Sequence, residues 1–141
     1  MGSKNMGNLL SEWISENYPL SKSDLMTAFM ERAQEFCVPA GIWGMINLPS
    51  WMFLKSSEFL RKELLGKATF SSMLHLGRGI FGSDFGSVAF VVSRIRPVEG
   101  HRGVYRRLFE EHVAVRSVET IRNLFLDPGR LFKTPELDLV Y

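Results

Sequence analysis

Two apolar runs flank a glycine-studded connection in the middle of this chain: Met73-Leu-His-Leu-Gly-Arg-Gly-Ile-Phe81, then Gly82-Ser-Asp-Phe-Gly86, then Ser87-Val-Ala-Phe-Val-Val92. Runs of this length rich in β-branched and aromatic residues favour extended backbone, so Thr69 to Leu76 and Ser87 to Arg94 are expected as strands joined through that connection. The loop is too long for a tight hairpin, uses Gly77, Gly79, Gly82 and Gly86, and keeps Phe81 near its middle. Connecting loops favour polar turn residues, so the ring of Phe81 is either presented to a ligand or plugs the core.

The remaining segments set the class. Leu9, Leu10, Trp13 and Ile14 make a short helical stripe that Pro19 breaks. Ser21-Lys-Ser-Asp24 resembles a capping box, and Leu25, Met26, Phe29, Met30, Ala33, Phe36 and Cys37 recur at threes and fours through an amphipathic helix. Pro39 and Gly41 end it. Ile42 to Ile46 is a continuous apolar run of the kind buried on both faces of a parallel sheet. A second helix is expected from about Ser56 to Leu65 with Gly66 as its stop. Beyond the two central strands, Gly103 to Phe109 reads as another strand and Ser117 to Leu126 as a capped helix with Val118, Ile121, Leu124 and Phe125 inward. Asp127-Pro-Gly129 ends that helix, and the last dozen residues read as a tail. Helices and strands in this order define an α/β layer architecture.

At 141 residues, with 45% hydrophobic and 23% charged side chains, the chain has the composition of one folded domain. No apolar run is long enough to span a membrane, and the N-terminus lacks the apolar stretch of a signal peptide, which points to the cytoplasm. Cys37 is the single cysteine, so it reads as a small core thiol and not as part of a metal site. A net charge of +2 does not by itself name nucleic acid as a partner. Arg94, Arg96, Arg102, Arg106 and Arg107 form a local basic stripe, which reads either as a solvated face or as a surface for phosphates.

An open α/β sheet usually binds ligands at the carboxyl ends of its strands, with a glycine-rich turn running from the first strand into a helix. This chain begins with a helix, has no G-x-x-x-x-G-K-[ST], and supplies only two or three core strands. It therefore reads as half of such a domain, leaving a sheet edge with unpaired backbone groups. Self-association through the Ile42 to Ile46 strand or its covering helices is expected.

Three blocks carry a resemblance: Asp24 to Ala33, Gly41 to Trp51, and His75 to Phe81 continuing through Val92. In order and spacing they resemble the second half of the catalytic domain of adenine-specific (N6) DNA methyltransferases, specifically the large BREX and phage-growth-limitation type. There, a Met-Gly-Ser-Lys like Met1 to Lys4 follows the catalytic Asn-Pro-Pro-Tyr tetrapeptide. The resemblance implies a partial, half Rossmann-like methyltransferase sheet with flanking helices and an antiparallel terminal strand pair. It implies residues 1–100 as the second half of the catalytic domain and 101–141 as the start of a region leading towards a recognition domain.

By the same resemblance, S-adenosylmethionine is the cofactor of the full-length family and double-stranded DNA its substrate. The target adenine must leave the duplex to be reached. Phe81 matches the ring that stacks on the flipped base, with Phe85 as the alternative in the same loop. Phe29 matches a ring against the cofactor's adenine, although the helix stripe demands an apolar residue there in any case. Ser3, Lys4 and Arg78 are candidate DNA contacts. No catalytic residue and no metal ligand is assigned: none of the matching positions requires an acid and base pair, and the family's glycine turn for the cofactor and its Asn-Pro-Pro-Tyr loop do not occur in this sequence. The expectation is an enzyme segment inactive alone that binds no cofactor alone. The alternative is a non-catalytic DNA-binding or oligomerising scaffold module.

Overall fold

The computed structural model describes residues 1–81, 85–109 and 117–127, together with the backbone of 131–132. Helices α1 (Asn8–Asn17) and α2 (Leu25–Phe36) precede strand β1 (Ile42–Asn47). The short α3 (Ser50–Phe53) and α4 (Glu58–Lys67) then lead into the hairpin of β2 (Thr69–Arg78) and β3 (Gly86–Ser93). Strand β4 (Val104–Arg107), helix α5 (Val118–Leu126) and the two-residue β5 (Leu131–Phe132) complete the order. The five strands line up as β1-β3-β2-β4-β5. β3 is antiparallel to both its neighbours, β4 is parallel to β2, and β5 is antiparallel to β4. Strands β1, β2 and β4 therefore point the same way, and their carboxyl ends meet the start of β3 at one end of the sheet.

Local chemistry explains the elements. Asp24 is itself the N-cap of α2, its carboxylate accepting from the Met26 amide at 2.9 Å and from the N-terminal ammonium of Met1 at 3.2 Å. Ser21 turns instead to Glu31. The helix closes at Cys37, just before Pro39. There the Arg94 side chain donates to the Cys37 carbonyl and the Arg94 amide donates to the Gly41 carbonyl. The C-terminus of α2 is thus tied to the far end of β3, and the helix packs back along β1 with its N-terminus towards the strands' carboxyl ends. β4 enters by a close approach that only glycine permits, since a Cβ on Gly103 would lie 2.4 Å from the Phe70 carbonyl oxygen.

One face of the sheet carries the core. Met30 from α2, Trp51 and Met52 from α3, and Leu60, Leu64 and Leu65 from α4 close on Phe70, Met73, Val88, Phe90 and Val92. The Trp51 ring stacks on Phe70 with centroids 6.0 Å apart and meets Phe90 edge-on at 5.4 Å. Each fully buried large side chain of this kind contributes about 1.5 to 3 kcal/mol of transfer free energy. A smaller cluster of Ile14, Tyr18 and Ala28 fastens α1 to α2.

Several expectations are corrected. Ile42 to Ile46 is not buried on both faces within a parallel sheet: β1 is an outer strand, antiparallel to β3, and its burial alternates because helices cover only one side. Ile42 and Ile46 remain 69% and 56% exposed. Gly66 does not stop α4, which runs to Lys67 and is closed by the Ala68 amide on the Leu64 carbonyl. Helix α5, capped by Ser117, buries none of the residues expected inward, and Val118 is exposed. Cys37 is half-buried at a helix end and is not a core thiol. Pro128, Gly129 and the C-terminal tail lie outside the described residues.

Candidate functional site: the carboxyl ends of the strands

The six residues singled out in the sequence collect towards one end of the fold. Ser3 hydrogen-bonds through its amide to the Ser23 carbonyl at 2.9 Å, which pins the turn Ser3–Asn5, with Lys4 in it, beside the start of α2. Phe29 sits in the second turn of that helix and is half exposed, while its neighbours Ala28 and Met30 are buried. Arg78 ends β2, and Phe81 and Phe85 follow in the connection to β3. The carboxyl ends of parallel strands are where open α/β sheets receive ligands, because the connections there are free to vary around a fixed scaffold.

The loop is built on glycine geometry. Gly77 and Gly79 both have positive φ, at 80° and 82°, a region that side chains with a Cβ rarely enter. The β2–β3 ladder shifts register between His75 and Gly77, so a bulge turns the strand just before the loop begins. At the other end, a Cβ on Gly86 would lie 3.2 Å from the Pro49 ring, so the loop returns hard against the segment that follows β1. Phe81 and Phe85 are 62% and 68% exposed. At that exposure neither ring fills the core.

Beneath the loop runs a row of aromatic side chains that sequence reading missed. Phe53 from α3 lies 6.3 Å from the His75 ring, and Phe109 meets His75 edge-on at 4.7 Å. Phe109 also packs against Gly77, where a Cβ would come within 3.0 Å of its ring. Residues 53, 75 and 109 share no sequence spacing: the pairing of β2 with β4 brings Phe109 to His75, and the placing of α3 over β2 brings Phe53. Their signal was tertiary.

Gly77-Arg-Gly-Ile-Phe-Gly82 also spells G-x-G-x-x-G. It links two antiparallel strands and opens no helix, so it lacks the N-terminal amides and dipole that make such a motif hold a pyrophosphate. Among the described residues, no group of three or more His, Cys, Asp or Glu is placed to hold a metal ion, and no helix is long and apolar enough to cross a membrane.

A cleft of about 260 Å³ between α2 and α4 lies away from the loop, lined by Glu31, Glu35, Glu63, Lys67 and Arg94. Burial pushes the Glu31 carboxyl above its ordinary value of 4.5, with Glu35 and Glu63 adding to the rise and the Ser21 hydroxyl opposing it. A carboxyl raised on folding is penalised when ionised, so its cost is absent below 4.5 and grows as pH rises through the folded value. Glu31→Gln should therefore melt higher than the parent at pH 7, with the gap closing towards pH 4. Equal melting temperatures at both pH values would contradict this.

Residues 1–81 match the Eco57I restriction-modification methylase family. The chain is 38% identical over 109 residues to the adenine-specific methyltransferase BrxX of Escherichia coli O9:H4 (strain HS), and 40% identical over 114 residues to the adenine-specific methyltransferase PglX of Lacticaseibacillus casei (strain Zhang). These alignments cover 77% and 78% of this chain, which spans only 9% of each relative. In fold it is similar to a modification subunit of a putative type I restriction enzyme from Vibrio vulnificus YJ016, with a TM-score of 0.68 over 86% of this chain and 30% of that one at 13% identity. It is similar also to the type IIG restriction endonuclease BpuSI, with a TM-score of 0.62 over 96% of this chain and 18% of that one at 13% identity. The class is that of restriction-modification methyltransferases with an α/β sheet. Within it, the chain belongs to the Eco57I methylase family and is similar to the BREX and phage-growth-limitation adenine-specific members.

Proposed function

We propose that this chain is one wall of the substrate pocket of an S-adenosylmethionine-dependent adenine-N6 DNA methyltransferase serving restriction-modification or phage defence. The observation that carries this reading is the exposure of Phe81 and Phe85 on a glycine-framed loop at the carboxyl ends of the strands. Phe81 stacks on an adenine turned out of the duplex, with Phe85 as the second ring. Ser3, Lys4 and Arg78 contact DNA, and Phe29 lies against the cofactor.

In this reading residues 1–100 are the second half of a catalytic domain. Residues 101–141 open the region leading towards a recognition domain, with β4 still hydrogen-bonded to β2. The protein works in the cytoplasm.

The chain alone is inactive because one wall cannot position both methyl donor and amine, and positioning supplies several kcal/mol of such a barrier. Calorimetry with S-adenosylmethionine should show no tight binding, and a sub-micromolar affinity would overturn the half-domain reading. The base-stacking role is tested by binding the chain to duplexes holding a paired adenine or one opposite an abasic site. The unpaired adenine should bind better because unstacking costs less, and Phe81→Ala should remove the preference. An undiminished preference would exclude Phe81.

The open outer edge of β1, with Ile42 and Ile46 exposed, supports self-association of the isolated chain. Sedimentation at micromolar concentration is expected to show dimers or larger species, and a monomer throughout would exclude it.

A further inference from the structure

The arginines between 94 and 107 make one stripe in sequence and two groups in the fold. Arg94, Arg96 and Arg102 follow β3 or precede β4, so they lie at the end of the sheet away from the Phe81 loop. Arg106 and Arg107 close β4 at the same end as the loop, paired with Leu74 and His75. Arg106 is engaged internally: it donates to the Phe125 carbonyl and lies 4.8 Å from that ring's centroid. Arg107 is exposed, forms no ion pair among the described residues, and holds its guanidinium 5.6 Å from the centroid of Phe109.

We infer that Arg107 is a DNA-backbone contact of this site, its guanidinium taking a phosphate beside the adenine that Phe81 receives. The inference rests on the proposed base-stacking role. Arginine stays charged at all relevant pH and offers a planar fork of donors that matches a phosphate's oxygens. A cation over an aromatic face is held in place without losing its hydrogen-bonding edge. The ring that holds it, Phe109, packs on Gly77 where the loop begins and on His75 one strand away. Phosphate grip and stacking loop thus stand on one aromatic footing, and neighbouring strands lie only about 4.8 Å apart. Of the two arginines that close β4, Arg106 is bonded to α5, which leaves Arg107 to extend the site from Arg78 on β2 onto β4.

The test is fluorescence anisotropy of a labelled duplex with the 141-residue chain between 25 and 200 mM KCl, roughly the range over which counterion release shows. Arg107→Ala and Arg107→Gln should each weaken paired and unpaired substrates alike and lower the slope of log K against log salt by about one. Arg107→Lys should keep the slope, and Arg96→Ala, at the opposite end, should leave it unchanged. An unaltered slope in both neutral variants overturns the inference, as does an equal loss in Arg96→Ala, which would mean diffuse charge. A wild-type chain that binds no duplex at the lowest salt overturns it too. Failure of the stacking reading shows separately, as a preference for unpaired adenine that survives Phe81→Ala while the Arg107 slope still falls.

Discussion

Trp51→Ala is expected to cost about 3 to 5 kcal/mol of folding stability, the range for removing a large aromatic from a packed core. The indole is 1% exposed and touches the rings of both Phe70 and Phe90, so it joins α3 to the two central strands at once. A domain of this size has only about 5 to 15 kcal/mol in total, so the variant should unfold at moderate urea or fail to fold at 37 °C. Trp51→Phe distinguishes cavity formation from any need for the indole itself. The Trp51 Nε1 donor is buried without a hydrogen-bond partner among the described residues, so phenylalanine relieves an orphaned donor while keeping most of the ring. Urea denaturation should therefore place Trp51→Phe much nearer the parent than Trp51→Ala. Equal losses in the two variants would mean that packing against Phe70 and Phe90 does not set the stability of this core.

The second large effect falls on recognition. An aromatic face stabilises an unstacked base by about 1 to 3 kcal/mol, so Phe81→Ala should lower the preference for an unpaired adenine by about 5- to 150-fold. Because Phe81 is 62% exposed, the substitution should leave the melting temperature within a degree or two of the parent, as for ordinary surface changes of about ±0.5 kcal/mol. That combination separates a stacking ring from a structural one. If Phe81→Ala instead melts far below the parent while the preference persists, the ring serves the loop and not the base. Phe85→Ala, on a ring of similar exposure, reports which of the two makes the contact.

Much of the architecture was legible in the residues. The helices at α1 and α2, the two central strands and their glycine connection follow from periodicity and breakers, which act within a few residues of each other. Three misreadings share a different cause. Ile42 to Ile46 has the composition of a doubly buried strand, yet β1 ends up outermost with its helix-covered face alone buried. Gly66 looks like a stop, yet α4 carries through it, because one glycine costs a helix only about 1 kcal/mol and the packing of Leu64 and Leu65 outweighs that. The apolar stripe of α5 looks like a core face, yet Val118 is 84% exposed.

The site divides in the same way. A glycine-rich loop carrying Phe81 and Phe85 between two strands follows from the residues alone, because glycine's conformational freedom and the flanking β-branched runs are local properties. The exposure of these rings, and the meeting of the Ser3–Asn5 turn with the start of α2 at the same end of the sheet, emerge from the fold as a whole. It alone split one run of arginines between opposite ends and set Phe53, His75 and Phe109 in a row under the loop. Strand order and register place residues far apart in the chain side by side, and neither is encoded in the spacing of any single segment.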